Sequence, residues 1–280
     1  MDWIQGIQNA VRHIETHITE ELDNNEIAAQ ACVSFFHFQR AFGILCGFTL
    51  GEYIRNRRLT LAGMELSSGN AKVIDVAVKY GYDSPDSFAK AFARFHGITP
   101  SSARKEGANL KSVAPLKIKF SLEGGSVMDY RIEAKEAFEV VGTAKEFNCD
   151  TSYIEIPKFW GEHFQSGNAK HICGMFGICF DHDSDSRFFN YMIADPAEGK
   201  GILPAEFVKM EIPAKTWAVF PCKGAMPNAL QEVNTKIWGE WLPNCREYEM
   251  DGNINIEMYS EGDPNSAEYY SEIWIPVRKK

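Results

Sequence analysis

The 280-residue sequence has no run of about 18 consecutive apolar residues, the length that a membrane-spanning helix needs. The first fifteen residues, MDWIQGIQNAVRHIE, are polar and charged where a signal peptide would have an apolar core. The seven cysteines are an odd number and include no CxxC pair, which disfavours a disulfide framework and favours reduced thiols. We therefore expect a cytoplasmic protein with no membrane partner.

The sequence also lacks the short motifs of common enzymes, because no P-loop, GxGxxG or GxSxG pattern is present. Asp181, Asp183 and Asp185 have the spacing of a calcium loop. However, Ser186 stands where the sharp turn needs glycine, and Met192 stands where the bidentate glutamate belongs. The histidines and cysteines between positions 163 and 182 have no zinc-site spacing. We expect no cofactor, no metal ion and no catalytic residue.

Charge is distributed unevenly beneath a formal net charge of −9. Residues 28–105 contain ten Lys and Arg against five Asp and Glu, whereas residues 127–280 contain fifteen against twenty-five. The basic balance of the first segment suits a surface that binds phosphates, and the acidic balance of the second is compatible with a cationic ligand.

Two twelve-residue stretches fifty positions apart nearly repeat each other: FQRAFGILCGFT at 38–49 and FAKAFARFHGIT at 88–99. In each copy the large apolar residues recur at i, i+4 and i+7, which predicts one stripe of an amphipathic helix. Each predicted helix ends at a glycine, Gly47 or Gly97, because glycine adopts the left-handed closing conformation without strain.

A shorter helical pattern precedes each copy, with Ala28 four residues before Cys32 and Ala77 four residues before Gly81. N-caps of the following helices are predicted at Ser34, Ser84, Thr49 and Thr99. A short helix, a tight turn and a second helix form the helix-turn-helix plan, in which the second helix enters the major groove.

The outward faces of the two predicted recognition helices supply candidate DNA contacts: Phe36, Gln39 and Arg40 on the first, and Ser87, Lys90 and Arg94 on the second. Gln and Arg make bidentate contacts with base edges, whereas Lys and Ser commonly contact phosphates. The alternative is an ordinary helical bundle whose helices resemble each other by chance.

Residues 7–105 resemble the DNA-binding domain of the AraC/XylS family of bacterial transcription regulators. The resemblance is carried by IAAQACVSFFHFQRAFGILCGFTLGEYIRNRRL and by VIDVAVKYGYDSPDSFAKAFARFHGITPSSAR. It implies two helix-turn-helix motifs held by a long helix over about 49–67, with double-stranded DNA as a partner and RNA polymerase as a candidate partner. Cys32 replaces the glycine frequent in the family, which predicts a slightly different first turn.

The remainder predicts a different kind of domain. A linker at 108–126 contains one strand-like piece, LKIKFSL, and ends at a Gly-Gly-Ser boundary. YRIEAKEAFEVVGTAKEF and FVKMEIPAKTWAVFPCKG each predict a hairpin-like strand pair. FWGEHF at 159–164 and IWGEWL at 237–242 follow these pairs as helices. Two strand-strand-helix-strand halves would form a pseudo-twofold antiparallel sheet with a cleft at the seam.

The last strands hold the candidate ligand residues. INIEMY places Glu257 and Tyr259 on one face, and SEIWIPV places Glu272 and Trp274 on one face. A carboxylate beside aromatic rings is the chemistry of a cation pocket, and Trp160 and Trp238 of the two WGE helices are candidates for its wall. The alternative is that these glutamates lie on a solvated outer face.

Residues 127–280 resemble the GyrI-like effector-binding domain, through KIWGEWLP and EYYSEIWIPV. This resemblance implies a pocket for drug-like, often cationic or lipophilic, molecules, with Glu272 as the first candidate for the pocket glutamate and Glu257 as the second. An AraC-type domain followed by a GyrI-like domain is similar to the Rob-type regulators of the family.

The sequence therefore predicts an all-α double helix-turn-helix domain at 1–107 and an α+β GyrI-like domain at 127–280. We interpret the chain as a DNA-binding transcription regulator that senses a small-molecule effector. Two alternatives stay open: the second domain hydrolyses drug-like molecules, or it only sequesters them.

Overall fold

The computed structural model describes residues 3–69, 71–117, 128–149, 151–180 and 188–280. These residues form two compact units: Met1–Phe38 with Phe48–Ser121, and Gln39–Gly47 with Leu122–Lys280. Most of the strand predicted at 116–122, the Gly-Gly-Ser boundary and the acidic loop at 181–185 lie outside the described residues. Within the described ranges, no helix combines the length and the apolar character needed to cross a bilayer.

The helical region contains seven helices in its described part: α1 (Trp3–Thr16), α2 (Asn24–Ala29), α3 (Phe35–Cys46), α4 (Leu50–Ser67), α5 (Val73–Lys79), α6 (Pro85–His96) and α7 (Pro100–Ala103). The boundary between the units falls inside α3. Its residues up to Phe38 belong to the first unit, and its residues from Gln39 belong to the second.

Capping residues set the ends of these helices, as the sequence predicted. The Ser84 hydroxyl accepts from the backbone N–H of Ser87 at the start of α6, and Gly97 closes that helix with φ +80°. Thr49 forms a reciprocal capping box with Glu52 at the start of α4. These side chains satisfy backbone groups that the first and last turns of a helix leave without partners.

The first turn keeps the left-handed conformation of the second and differs from it only slightly, in agreement with the prediction from Cys32. Cys32 adopts φ +56° and Gly81 adopts φ +80°, so both lie in the left-handed region. The backbone N–H of the next residue donates to Ala28 in the first turn and to Ala77 in the second, at 3.4 and 3.0 Å. The cysteine therefore accepts the strained conformation that glycine adopts freely.

A buried cluster from helices α4 to α7 holds the second helix-turn-helix motif together: Leu59, Ala62, Leu66, Val76, Ala77, Tyr80, Phe88, Phe92 and Ala103. His96 is buried at the end of α6, where its Nε2 lies 2.9 Å from the carbonyl of Leu59. Gly63 makes room for this ring, because a Cβ at that position would lie 2.8 Å from it. The motif is thus anchored to α4 by the α6 C-terminus.

The second unit contains nine strands in its described part: β1 (Arg131–Lys135), β2 (Phe138–Asn148), β3 (Phe176–Phe180), β4 (Phe188–Pro196), β5 (Val208–Ile212), β6 (Lys215–Lys223), β7 (Tyr248–Met250), β8 (Ile254–Tyr259) and β9 (Tyr270–Lys279). Its helical segments are α8 (Ser152–Ser166), a 3₁₀ turn (Asn168–Lys170), α9 (Asn228–Lys236), a π-helical turn (Ile237–Trp241) and α10 (Leu242–Asn244).

The strands form one antiparallel sheet in the order β1-β6-β9-β8-β3-β4-β2-β5, with β7 paired to β9. The order is unchanged when it is reversed and each strand of one half is exchanged with its equivalent in the other: β1 with β5, β2 with β6, β3 with β8 and β4 with β9. The predicted pseudo-twofold sheet is therefore confirmed. Each half has the sequence strand-strand-helix-strand-strand, which is one strand more than predicted.

The two predicted hairpins are wrong in their pairing, although their strands exist. β1 pairs with β6 rather than with β2, and β5 pairs with β2 rather than with β6. The halves thus exchange their first strands. Local alternation of apolar residues predicts that a segment is extended, but it does not identify the partner strand.

The sheet is buried on both faces at its centre. One face carries a continuous apolar cluster that includes Ile178, Trp217, Ile256 and Trp274. The other face lies under α8, where Phe159 packs 5.6 Å from the ring of Phe147. β3 and β8 are neighbours at the middle of this strand order, and β9 pairs with β8.

Candidate functional site

The second recognition helix, α6, exposes the polar face that the sequence predicted. Ser87, Lys90 and Arg94 are exposed, whereas Phe88 and Phe92 on the opposite side are fully buried. The amphipathic stripe fixes this orientation, since the buried residues recur at helical spacing. A hydroxyl, an ammonium and a guanidinium on one exposed helix face can contact phosphates and base edges of DNA.

The first recognition helix, α3, has its candidate DNA contacts in a different environment. Phe36 and Gln39 are only 4% and 8% exposed, and Arg40 is partly buried. The prediction placed these three side chains on an outward face. In this structure Arg40 instead forms an ion pair with Glu257 inside the second unit, whose compact body includes residues 39–47.

The Arg40 guanidinium lies over strands β3 and β8. Its Nη2 is 3.3 Å from Glu257 Oε1, and its Nη1 is 3.1 Å from Cys179 Sγ. Burial lowers the pKa of Arg40, but the Glu257 carboxylate beside it raises that pKa by more, so the net shift is upward from the ordinary value. Burial raises the pKa of Cys179 to about 11, which leaves a neutral thiol near pH 7.

Three aromatic side chains surround the Glu257 carboxylate. The Tyr259 and Tyr191 hydroxyls donate to its Oε2 at 2.9 and 3.3 Å, and the Trp160 indole N–H donates to the Tyr191 oxygen at 3.0 Å. The rings of Trp160 and Tyr259 meet edge to face at 5.4 Å. We call Glu257 with Trp160, Tyr191 and Tyr259 the Glu257 site.

A glycine and the strand register bring these groups together. Gly177 pairs with Glu257 across β3 and β8, and a Cβ at position 177 would collide with the Tyr191 hydroxyl. Burial, and after it the Glu257 charge, raises the pKa of both Tyr191 and Tyr259 well above the ordinary value. Both tyrosines therefore remain neutral hydrogen-bond donors to the carboxylate.

Glu272 does not share this site with Glu257, contrary to the single cleft that the sequence predicted. Directly paired residues of neighbouring strands point to the same face of a sheet. Glu257 pairs with Ile273, whereas Glu272 pairs with Met258. The two carboxylates therefore lie on opposite faces of the sheet, and Trp274 lies on the Glu272 face.

Glu272 is 4% exposed, and both of its oxygens have partners. Oε1 accepts from the Tyr270 hydroxyl at 2.6 Å and lies 2.9 Å from Arg131 Nη2. Oε2 accepts from the Trp274 indole N–H at 2.6 Å. This cluster ties β1 to β9, because Arg131 begins the first strand of the sheet.

The sequence prediction missed one residue of the Glu257 site, Tyr191, and the Cys179 thiol that contacts Arg40. Tyr191 and Cys179 were not candidates, although alternation along β3 and β4 places both on the buried face with Gly177. Trp238 is fully buried in the π-helical turn, and its indole N–H donates to Asn234 at 3.0 Å. In the described part of the chain, no three His, Cys, Asp or Glu side chains gather to hold a metal ion.

The chain matches two protein families. Residues 131–277 match the family described as integron-associated effector binding protein, and residues 27–106 match a helix-turn-helix domain family. The chain is 45% identical over 91 residues to the HTH-type transcriptional activator AarP of Providencia stuartii, covering 32% of this chain and 67% of that one. It is 24% identical over 301 aligned positions to the right origin-binding protein of Escherichia coli K12, covering all of both chains.

Among solved structures, the chain is similar to SAV2435 bound to tetraphenylphosphonium, with 23% identity and a TM-score of 0.48 over 54% of this chain and 94% of that one. Taken with the double helix-turn-helix and the pseudo-twofold sheet, the family matches define the class of the protein. The chain belongs to the AraC-type DNA-binding transcription regulators that carry an integron-associated, GyrI-like effector-binding domain.

Proposed function

We propose that this regulator senses a small lipophilic cation at the Glu257 site of residues 127–280 and controls transcription through residues 1–107. The observation that carries the proposal is the carboxylate itself, which lies among three aromatic rings and already pairs with a guanidinium. Aromatic ring faces and a carboxylate in a poorly solvated site attract a cation in concert.

Glu257 is a better candidate than Glu272 for the carboxylate that binds the cation, because the groups that already contact the two carboxylates differ. Among the described residues, Arg40 is the one cationic side chain that pairs with Glu257, through a single contact of 3.3 Å. Glu272 is held by two short hydrogen bonds and by Arg131 on a face filled by the apolar cluster. A ligand would have to displace structural partners of Glu272.

The proposed site binds its ligand without chemical turnover. A general acid or base works best when its pKa is near the operating pH. Tyr191 and Tyr259, the hydroxyls beside Glu257, have pKa values far above that range. Recovery of a bound cation unchanged after long incubation, measured by mass spectrometry, is the expected result, and a hydrolysed product would replace sensing with the enzymatic alternative.

Tryptophan fluorescence of the full chain tests the binding proposal. Five of the six tryptophans lie in residues 127–280, and Trp160 is part of the Glu257 site. We expect saturable quenching by tetraphenylphosphonium and a much weaker response to the neutral triphenylphosphine oxide. Glu257→Gln should abolish the difference between the two molecules, whereas Glu272→Gln should retain it. A response that depends on Glu272 and not on Glu257 would refute the assignment.

On DNA, we propose that α6 contacts one major groove through Ser87, Lys90 and Arg94. The first recognition helix would contribute Phe36, Gln39 and Arg40. The exposed positions on α6 support this role, as does the excess of basic residues over 28–105. RNA polymerase is a further proposed partner, which a pull-down of purified polymerase on DNA bound by the regulator would test. Recovery of polymerase only when the regulator is present is the expected result.

A further inference from the structure

The DNA-contacting and cation-binding roles converge on one side chain, Arg40. The proposed function assigns Arg40 to DNA bases and Glu257 to an effector cation, yet the two side chains form an ion pair with each other. Arg40 is 18% exposed and Glu257 is 14% exposed, so solvent screens the pair weakly. The Arg40 guanidinium cannot contact Glu257 and a DNA base at the same time. While it lies 3.3 Å from Glu257, it is unavailable to a base edge.

The helix segment that carries Arg40 is also seated against the π-helical turn. Residues 39–47 belong to the same compact unit as the sheet. A Cβ added at Gly239 would lie 3.4 Å from Leu45 Cδ2. Arg40 and Leu45 are five residues, about 1.4 turns of helix, apart, so the segment is held at two separate points rather than by one side chain alone.

Two buried polar side chains, Asn255 of β8 and Gln39 of α3, lack hydrogen-bond partners among the described residues. Asn255 is 2% exposed, and neither its Nδ2 nor its Oδ1 has a hydrogen-bond partner among the described residues. It lies on the same sheet face as Glu257 and pairs with Cys179 in the register of β3 and β8. Gln39 Oε1 is likewise buried without a partner in that set. Buried polar groups without partners are costly, so these groups make the seated position of Arg40 less stable and easier for another cation to displace.

We propose that Arg40 is an internal ligand of the Glu257 site, which withholds the first recognition helix from DNA until an effector cation takes its place. This inference rests on the proposed function, because it needs Glu257 to be the effector carboxylate. It supplies a direct link between the two sites: the cation and the DNA bind more tightly in each other's presence, since both require Arg40 to leave Glu257.

Effector affinity in arginine variants of the full chain tests the proposal. The apparent dissociation constant of a ligand rises in inverse proportion to the fraction of protein that is competent to bind. If Arg40 occupies the site about 90% of the time or more, Arg40→Ala should bind tetraphenylphosphonium about tenfold or more tightly. Arg12→Ala, which removes an exposed arginine from α1, is the matched control and should leave the affinity unchanged. Arg40→Gln repeats the test with a polar side chain, in case the alanine variant folds poorly.

The outcomes separate the inference from the proposed function. Equal affinity in Arg40→Ala, Arg40→Gln and the wild type, with binding still lost in Glu257→Gln, would overturn the internal-ligand role and leave the sensor intact. Weaker binding in both arginine variants would make Arg40 a part of the effector pocket and would also overturn it. No binding by the wild type or by either variant would overturn both proposals.

A DNA experiment tests the other half of the exchange. A duplex is first selected from a random-sequence pool by the Glu257→Gln protein, in which the carboxylate no longer holds Arg40. This variant should bind the duplex several-fold more tightly than the ligand-free wild type does. Tetraphenylphosphonium should raise the wild-type affinity and leave the variant unchanged. Equal DNA affinities of wild type and variant, with no cation effect on either, would overturn the proposal.

Discussion

Replacement of Glu272 by glutamine distinguishes a structural carboxylate from a ligand-binding one. Glutamine keeps the size of the side chain and one carbonyl oxygen, but it replaces the second oxygen with an amide group that donates hydrogen bonds. The Trp274 indole N–H needs an acceptor on one side of this group, and the Tyr270 hydroxyl and Arg131 need one on the other. One of these donors must therefore face another donor.

The size of the effect follows from these contacts. A hydrogen bond to a charged group contributes about 1.5–3 kcal/mol, and a buried donor left without a partner costs about 1–3 kcal/mol. The Arg131 pair adds little, because Arg131 is 47% exposed and exposed pairs contribute at most about 1 kcal/mol. The remaining oxygen of glutamine retains part of the network. We expect Glu272→Gln to lower the free energy of unfolding by about 2–4 kcal/mol.

Urea unfolding followed by circular dichroism measures this loss from the midpoint and slope of the sheet transition. Glu268→Gln is the matched control, since its partner Lys223 and Glu268 itself are both largely exposed. That control should change stability by less than about 0.5 kcal/mol. A loss below about 1 kcal/mol for Glu272→Gln, combined with loss of cation binding, would show that Glu272 is a ligand group after all.

Three further predictions concern the helical region. Cys32→Gly should stabilise the chain by about 0.5–1 kcal/mol in urea, because relief of the left-handed strain exceeds the added backbone entropy of glycine; a destabilised variant would contradict this. Burial lowers the pKa of His96, so the unfolded chain takes up a proton first as the pH falls below about 6.5. Stability should therefore fall between about pH 6.5 and 5, with a flatter urea-midpoint profile in His96→Gln, and equal slopes would refute the assignment. Lys90→Ala should weaken binding equally on selected and scrambled duplexes and reduce the salt slope by about 1. With saturating tetraphenylphosphonium present, Arg40→Ala should cost about 1–3 kcal/mol on the selected duplex alone. The reverse pattern in gel-shift titrations would exchange the two roles.

Local chemistry in the sequence was sufficient for the helical motifs. Ser84, Thr99 and Gly97 cap helix ends through bonds within three or four residues, so their roles depend on neighbours that the sequence displays. The similar turns at Cys32 and Gly81 follow from the same local geometry, although a cysteine stands where the first turn would favour glycine.

The strand pairing and the site required information that local pattern does not contain. Alternation along β8 and β9 put Glu257 and Glu272 on definite faces of their own strands. Only the register between the strands decides that these faces are opposite ones. The ion pair of Arg40 with Glu257 joins residues 217 positions apart, and no spacing rule connects them.

The palindromic strand order has a consequence for the charge that the Glu257 site can accept. The two WGE helices are related by a shift of 78 positions, and the same shift carries Ile178, at the centre of β3, onto its cross-strand partner Ile256. It also carries Cys179 onto Glu257, so the two groups that hold Arg40 are equivalents in a duplicated architecture. If the two halves were identical, a glutamate at position 179 would face Glu257 across the pseudo-twofold axis. Each carboxylate would then oppose ionisation of the other. Because position 179 is a cysteine, Glu257 is the one carboxylate of this pair, and it suits a monovalent cation better than a divalent one.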